Sequence, residues 1–595
     1  MRALLCSLVA FSSPTESSVG DRRSEPLRAL RAKVRDATPG RAQYDAARAR
    51  LASGTPVMTT TTSGPIVGVD SGGVTQFLGI PFAAPPVGDL RWAPPVAATP
   101  WTSPRNTSYW GPACPQDPEF AIFGLFSGMS EDCLFVDVYI PSAQPPPGGW
   151  PTLVWIYPGG YIFGTGGFPG WDGFFPISGL HLNVSIVTIA YRVNAFGFLG
   201  GSALRAADGT IGNWGSADQR FALQFVNANA KAFNLDPSRI TVWGVSAGGA
   251  SVSHLLTNPR AFGTFNRAIV ESGAMAEWIS FSLDDAQALY DKYAAAVNCT
   301  ANGSPAAQVA CLRALPWEAL VAVSALDFLS TERWGPVVDG VEVPDWPRNM
   351  AAQGKVAPGV QLLIGSNHDE GTMFAVPDDI DMGMASVAEL AAAFNKTFGA
   401  ALVPDLLGLY PPSRFNNSLA VDGVTPFWQA FARAVGDSMI SCPSRDQARW
   451  LSSPNRTGGA APVFAWHFLH QLELFRELSP YLGVCHGTDV IFVMDFQPWA
   501  TWGFGETALT DEMMGVLVRF ATTGDPSGGA VPHWPAYSAQ TDLVVTIDTG
   551  VSGVNFTAVA NLRQAECDWW MEHQVVHPPP TGRRQTPSLM RLNRR

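Results

Sequence analysis

Through the middle of the chain, short apolar runs rich in β-branched and aromatic residues alternate with longer, alanine-rich stretches whose apolar positions recur every three to four residues. Leu153 to Tyr157, Ile186 to Tyr191, Ile240 to Val245, Val360 to Ile364 and Val463 to Phe468 have the composition of strands buried on both faces. Ala217 to Phe233 and Asp511 to Thr522 carry the helical period. Strands and helices in alternation predict an α/β fold with a large, mostly parallel sheet covered by helices on both faces. No internal repeat or heptad interrupts this order. Pro145-Pro146-Pro147-Gly148-Gly149 reads as a surface turn, and the basic, proline-rich tail from His577 as a disordered end.

Composition agrees with a large folded body. Of 595 residues, 46% are apolar and only 15% charged, so wholesale disorder is excluded and a single large domain is possible. The net charge of −12 is unevenly placed: residues 1–57 carry 10 basic and 5 acidic side chains, residues 573–595 carry 5 basic and none acidic, and residues 58–572 have a net charge of −22. A body this acidic repels a phosphate backbone, which argues against nucleic-acid binding. No apolar run reaches the roughly 18 residues needed to cross a bilayer.

The division expected is therefore a signal-like and basic extension over 1–57, a folded domain over 58–572 and a disordered basic tail over 573–595. Arg2 followed by the apolar stretch Ala3 to Phe11 resembles a secretory signal. The arginine-rich segment Arg22 to Arg50 then reads as a pro-segment, a transit-like extension or a mis-assigned start. Eight N-x-[ST] triplets, at Asn106, Asn183, Asn298, Asn302, Asn395, Asn416, Asn455 and Asn555, fit a glycosylated surface. Seven cysteines lie in the body, an odd number, and none has zinc-ligand spacing, so no metal is expected. Together these features place the protein in the secretory route or an endomembrane lumen.

The candidate chemistry begins at Ile240-Thr241-Val242-Trp243-Gly244-Val245-Ser246-Ala247-Gly248-Gly249, an apolar strand running into G-x-S-x-G and a helix start. That context is what a nucleophile elbow needs, because the serine sits on a turn too sharp to admit side chains at either glycine. A glycine-rich turn with an idle serine is the competing reading. An elbow serine requires an acid and a base downstream. Of the histidines that follow, His486 lies in a loop, Gly483-Val484-Cys485-His486-Gly487, whereas His467 and His470 lie on or beside a predicted strand and read as packing residues. For the acid, Leu362-Leu363-Ile364-Gly365-Ser366-Asn367-His368-Asp369-Glu370 puts both Asp369 and Glu370 just past the end of a strand, where catalytic groups gather. Residue chemistry alone does not choose between them.

Ser246, Glu370 and His486 with their surroundings resemble the type-B carboxylesterases, the cholinesterase and fungal-lipase branch of the α/β-hydrolases, over about residues 64–572. Phe77-Leu78-Gly79-Ile80-Pro81-Phe82-Ala83-Ala84-Pro85-Pro86-Val87-Gly88 is similar to that family's opening motif, and Glu131-Asp132-Cys133-Leu134 to its second signature. Tyr191-Arg192-Val193, Asp218-Gln219-Arg220, Glu271-Ser272-Gly273, Pro336-Val337-Val338-Asp339-Gly340 and Thr523-Gly524-Asp525-Pro526 follow in the family's order. The resemblance implies an α/β-hydrolase fold, a Ser246, Glu370, His486 triad and no cofactor.

It also implies an oxyanion hole from the amides of Gly159, Gly160 and Ala247, in the loop Tyr157-Pro158-Gly159-Gly160-Tyr161 and the elbow. Here Pro158 replaces a family glycine that does not donate. The implied disulfides are Cys114 with Cys133, Cys299 with Cys311, and Cys442 with Cys567, leaving Cys485 unpaired. Arg91 with Glu131 and Arg192 with Asp218 match ion pairs that fix loops in relatives. Phe120, Phe123 and Phe126, in the loop between Cys114 and Cys133, and Met373 and Phe374 are expected to line the substrate pocket. That loop holds no tryptophan, Met373 stands where an aromatic ring is expected, and Val245 replaces the glutamate that usually precedes the serine. These three departures argue against choline esters. The expected function is a serine hydrolase of neutral small-molecule or lipid carboxylic esters. A non-catalytic adhesion or scaffold member of the same fold, and an acyltransferase using the same triad, are the alternatives.

Overall fold

Each apolar run becomes a strand because a polar or glycine-rich turn bounds it on either side and neighbouring strands satisfy its backbone. In the computed structural model, which describes residues 47–117, 128–167, 177, 182–300, 303–324, 334–375, 380–415, 423–494, 503, 505–550 and 553–573, thirteen strands form one sheet. They are β1 (Thr55–Thr61), β2 (Gly64–Ser71), β3 (Val74–Pro81), β4 (Arg105–Asn106), β5 (Phe135–Pro141), β6 (Trp150–Ile156) and β7 (Ser185–Ile189). They continue as β8 (Leu235–Val245), β9 (Arg267–Glu271), β10 (Gln361–Asn367), β11 (Val463–Phe468), β12 (Leu543–Gly550) and β13 (Gly553–Ala560). The order across the sheet is β1-β2-β3-β5-β7-β6-β8-β9-β10-β11-β12-β13, with β4 beside β2. From β7 to β12 every neighbouring pair is parallel, while the flanking pairs are antiparallel except for the short parallel pair β2·β4. The parallel centre is buried at almost every position, whereas β13 at the edge is largely exposed.

The predicted strands are observed with small shifts, and the larger differences have local causes. The helix expected over Ala217 to Phe233 is α1 (Trp214–Ala228) followed by a separate 3₁₀ turn over Ala230–Phe233. The break falls at Asn229, whose side chain bonds back to Phe225 O at 2.8 Å and receives the Thr62 amide at 2.7 Å, and Asn234 ends the turn at φ 55°. The ordered body also begins before the boundary at Val57, with β1 starting at Thr55 and Ala47 and Leu51 packed into the core. The signal-like start, Asn302, Asn416 and the tail from His577 lie outside the described residues, as do Phe120, Phe123 and Phe126.

Three crosslinks and two buried ion pairs brace the loops over the sheet. Cys114 is bonded to Cys133, Cys299 to Cys311 and Cys442 to Cys567, and Cys485 is a buried free thiol. The guanidinium of Arg91 grips Glu131 at 2.6 and 2.5 Å and also caps the carbonyls of Leu312, Arg313 and Leu315. Arg192 pairs with Asp218 at 2.8 and 2.7 Å.

Candidate active site

Parallel register brings the carboxyl ends of β6, β8, β9 and β10 level with one another. Ile156 pairs with Gly244, Val245 with Glu271, and Glu271 with Gly365. Chain segments leaving this edge therefore converge, as they do in open α/β sheets that bind ligands there.

At the end of β8 the chain passes through Ser246 directly into α2 (Ala247–Thr257), and Ser246 takes φ 55° and ψ −124° to do so. A Cβ on Gly244 would lie 2.5 Å from the Gly248 carbonyl carbon, and one on Gly248 would lie 2.0 Å from Ile156 O. Both glycines are therefore required by close backbone approach. The Ser246 amide donates to Glu271 O at 2.9 Å, which ties the elbow to the neighbouring strand. Ala247 is the first residue of α2, where an amide has no intrahelical carbonyl to bond and the helix presents its positive end.

The loop after β6 lies against this elbow, for the carbonyls of Ile156 and Tyr157 are the nearest atoms to Gly248. Gly159, Gly160 and Tyr161 take φ of 123°, 58° and 64° in succession. The amides of Ile162 and Phe163 close the loop onto Gly159 O at 2.9 and 3.2 Å. Pro158 is accommodated because its flanks are fixed elsewhere: the rings of Tyr157 and Tyr191 stack at 4.2 Å and each hydroxyl donates to the other residue's carbonyl, at 2.7 and 3.1 Å.

His486 Nδ1 lies 2.6 Å from Glu370 Oε2, both side chains being almost wholly buried. The other oxygen, Oε1, accepts from Ser272 Oγ at 2.5 Å and from the Asn367 amide at 2.6 Å. Asp369, the other carboxylate considered, faces away: it binds Arg433 at 2.9 Å and accepts the Val484 amide at 3.0 Å. Nε2 of His486 is buried and has no hydrogen-bond partner among the described residues. Ser246 and His486 are thus not hydrogen-bonded to each other, a contact that is commonly long before substrate binds. The ring of Phe374 packs on His486 at 4.9 Å, and Met373 beside it is buried.

Two contributors escape a reading of the sequence. Ser272 and Asn367 supply the donors that fix Glu370, and Ser272 adopts φ 49° to do so. The signal available was positional: Ser272 directly follows β9 and Asn367 closes β10, and a carboxylate that orients a histidine with one oxygen needs donors for the other. The two strand-side histidines have other partners. His467 bonds Ser366 and His368 at 3.2 Å each, and His470 is held between Glu506 and Asp548 with its ring edge-on to Phe492.

A profile of the carboxylesterase family matches residues 54–570. Liver carboxylesterase of Sus scrofa is 31% identical over 539 residues, covering 85% of this chain and 90% of its own. Carboxylesterase 5A of Homo sapiens is 31% identical over 521 residues, covering 84% of each chain. Among solved structures, a thermophilic PNB esterase superposes with a TM-score of 0.72 at 28% identity, covering 87% of this chain and all of its own.

Proposed function

The chain belongs to the carboxylesterase family and is a carboxylic ester hydrolase of the α/β-hydrolase fold, and from that premise we propose that it works through an acyl-enzyme on Ser246 with His486 as base and Glu370 as the orienting acid. The observation that carries the reading is the division of labour on the imidazole: Nδ1 is held by Glu370 at 2.6 Å while Nε2 has no partner among the described residues. A proton on Nδ1 leaves the Nε2 lone pair free to accept the Ser246 proton as Oγ attacks the ester carbonyl, and Glu370 stabilises the imidazolium that forms. His486 then returns the proton to the leaving alcohol. Water enters by the same route and releases the acid.

The amides of Gly159, Gly160 and Ala247 are the proposed donors to the oxyanion, with each donor worth about 3 kcal/mol of barrier. Met373 and Phe374 line the acyl side next to His486. Neutral esters are the proposed substrates, since Val245 and Met373 supply neither a carboxylate nor an aromatic face for a cation. Three disulfides support a secreted or lumenal location, where the N-x-[ST] triplets would be candidate glycan sites. The test is an acyl-chain series of chromogenic neutral esters with the intact protein and with Ser246→Ala. Turnover by the variant should fall at least about 10⁴-fold; near-normal hydrolysis would remove Ser246 from this role.

A further inference from the structure

Beneath His486 lies a second acidic group that the mechanism above does not use. Glu271, the last residue of β9, and Asp489, in α3 (Thr488–Val493) three residues after His486, are both completely buried and within hydrogen-bonding reach of each other. One oxygen of each is satisfied: Glu271 Oε1 accepts the Trp243 indole, and Asp489 Oδ1 accepts Asn367 Nδ2 at 2.8 Å and the Val490 amide at 3.1 Å. The other oxygens, Glu271 Oε2 and Asp489 Oδ2, are buried without a donor among the described residues. Two ionised carboxyls in contact would leave both oxygens unsatisfied and place two like charges in a dry site. One proton between them satisfies both.

We propose that Glu271 and Asp489 share a single proton and act as a positioning pair that keeps one negative charge, and no more, beneath His486. The pair is tied into the site on both sides. The Glu271 carbonyl receives the Ser246 amide, while Asn367 bonds Asp489 through its side chain and Glu370 through its backbone. The other titratable groups near Asp489 are Glu370 and His486, and Trp243 and Asn367 are neutral. Burial first, and then the charge of Asp489, push Glu271 well above the usual carboxylate range, and burial pushes Asp489 up to about 6 against the bond from Asn367. Such a pair titrates as a unit. A second full charge beside Glu370 would favour the imidazolium so strongly that the base would be protonated at rest, whereas a neutral pair would weaken it. The inference about charge on His486 rests on the proposed role of that residue, but the shared proton itself does not.

The test uses Glu271→Gln, Asp489→Asn and the double variant, with the acid limb of kcat/KM against pH and difference infrared spectra of the intact protein. An amide at either position mimics the protonated carboxyl and preserves one charge. Each single variant is therefore expected to leave the pKa of the limb in place, and the double variant to move it to lower pH by about one unit, a tenfold change in proton affinity. At neutral pH, the wild type minus Asp489→Asn spectrum should contain the carbonyl stretch of a protonated carboxyl. Equal, additive shifts in the two single variants would mean two independent carboxylates and overturn the proposal, as would an unmoved limb in the double variant. The infrared band decides the question even where the double variant does not fold or the triad assignment fails, and its absence overturns the shared proton.

Discussion

Two histidines in this molecule sit beside buried carboxylates, and their difference separates the proposed base from a brace. His486 has Glu370 on Nδ1 at 2.6 Å and, among the described residues, nothing on Nε2. His470, just past β11, has Glu506 on Nε2 at 3.0 Å, and Thr549 Oγ1 at 2.9 Å and Asp548 at 3.4 Å on Nδ1. Burial works against charge on His470, but the bonds to Asp548 and Glu506 outweigh it and raise its pKa above the ordinary 6.5. With Glu506 on one nitrogen and Asp548 and Thr549 on the other, His470 joins β12 to the start of the helix Glu506–Thr523. A carboxylate neighbour alone therefore does not mark a general base; the proposed base has a carboxylate on one nitrogen and, among the described residues, no partner on the other.

The largest effect should come from breaking the pairing on the His486 side. In Glu370→Gln the carbonyl oxygen would stay with Ser272 and Asn367, which both donate, so the amide NH₂ would face Nδ1. The imidazole would then have to carry its proton on Nε2, the wrong tautomer for a base. Activity should fall by about 10⁴-fold with little change in thermal unfolding, measured as kcat/KM beside a melting curve. The matching change at the brace should do the opposite. His470→Gln leaves Glu506 and Asp548 short of a cation and should cost about 3 kcal/mol of stability, seen in denaturant unfolding, while ester turnover by the folded fraction stays near wild type. Because the folded pKa of His470 is raised, its contribution is whole below the ordinary 6.5 and is lost as pH rises through the raised value. The gap between variant and wild type should accordingly narrow at alkaline pH.

Smaller effects sharpen the picture of the pocket. Neutral butyl or hexyl esters should exceed choline esters of the same acid by more than about tenfold in kcat/KM, or roughly 1.4 kcal/mol, in a matched-acyl comparison. The smallest change is expected at Cys485, adjacent to the base in sequence but buried, with its thiol pushed up by burial to about 12. Cys485→Ser should retain most activity, and thiol reagents should leave Cys485 of the native enzyme unmodified at neutral pH.

How far the site could be read in advance follows the range of each interaction. The elbow was legible because its constraint is local: two glycines and a serine within five residues answer to one backbone crossing at Ile156. The parallel strands were legible because burial on both faces leaves unbroken apolar runs. The choice between Asp369 and Glu370 was not legible from chemistry alone, since it depends on Arg433 from another element drawing Asp369 away. Ser272 was hidden because its bond to Glu370 spans 98 residues, and Asn367 because its donor is a backbone amide that no side-chain pattern records. His470 read as packing for the same reason: the carboxylate it meets, Glu506, lies 36 residues further on.

The proposed mechanism requires that Ser246 Oγ be the nucleophile that His486 activates. The most direct measurement is labelling of the intact protein with a fluorophosphonate, followed by peptide mass spectrometry and by the labelling rate in His486→Ala. A single adduct on the peptide containing Ser246, formed at least about 10³-fold more slowly without His486, is the predicted result. An adduct on another residue, or labelling of Ser246 at an undiminished rate in His486→Ala, would contradict it.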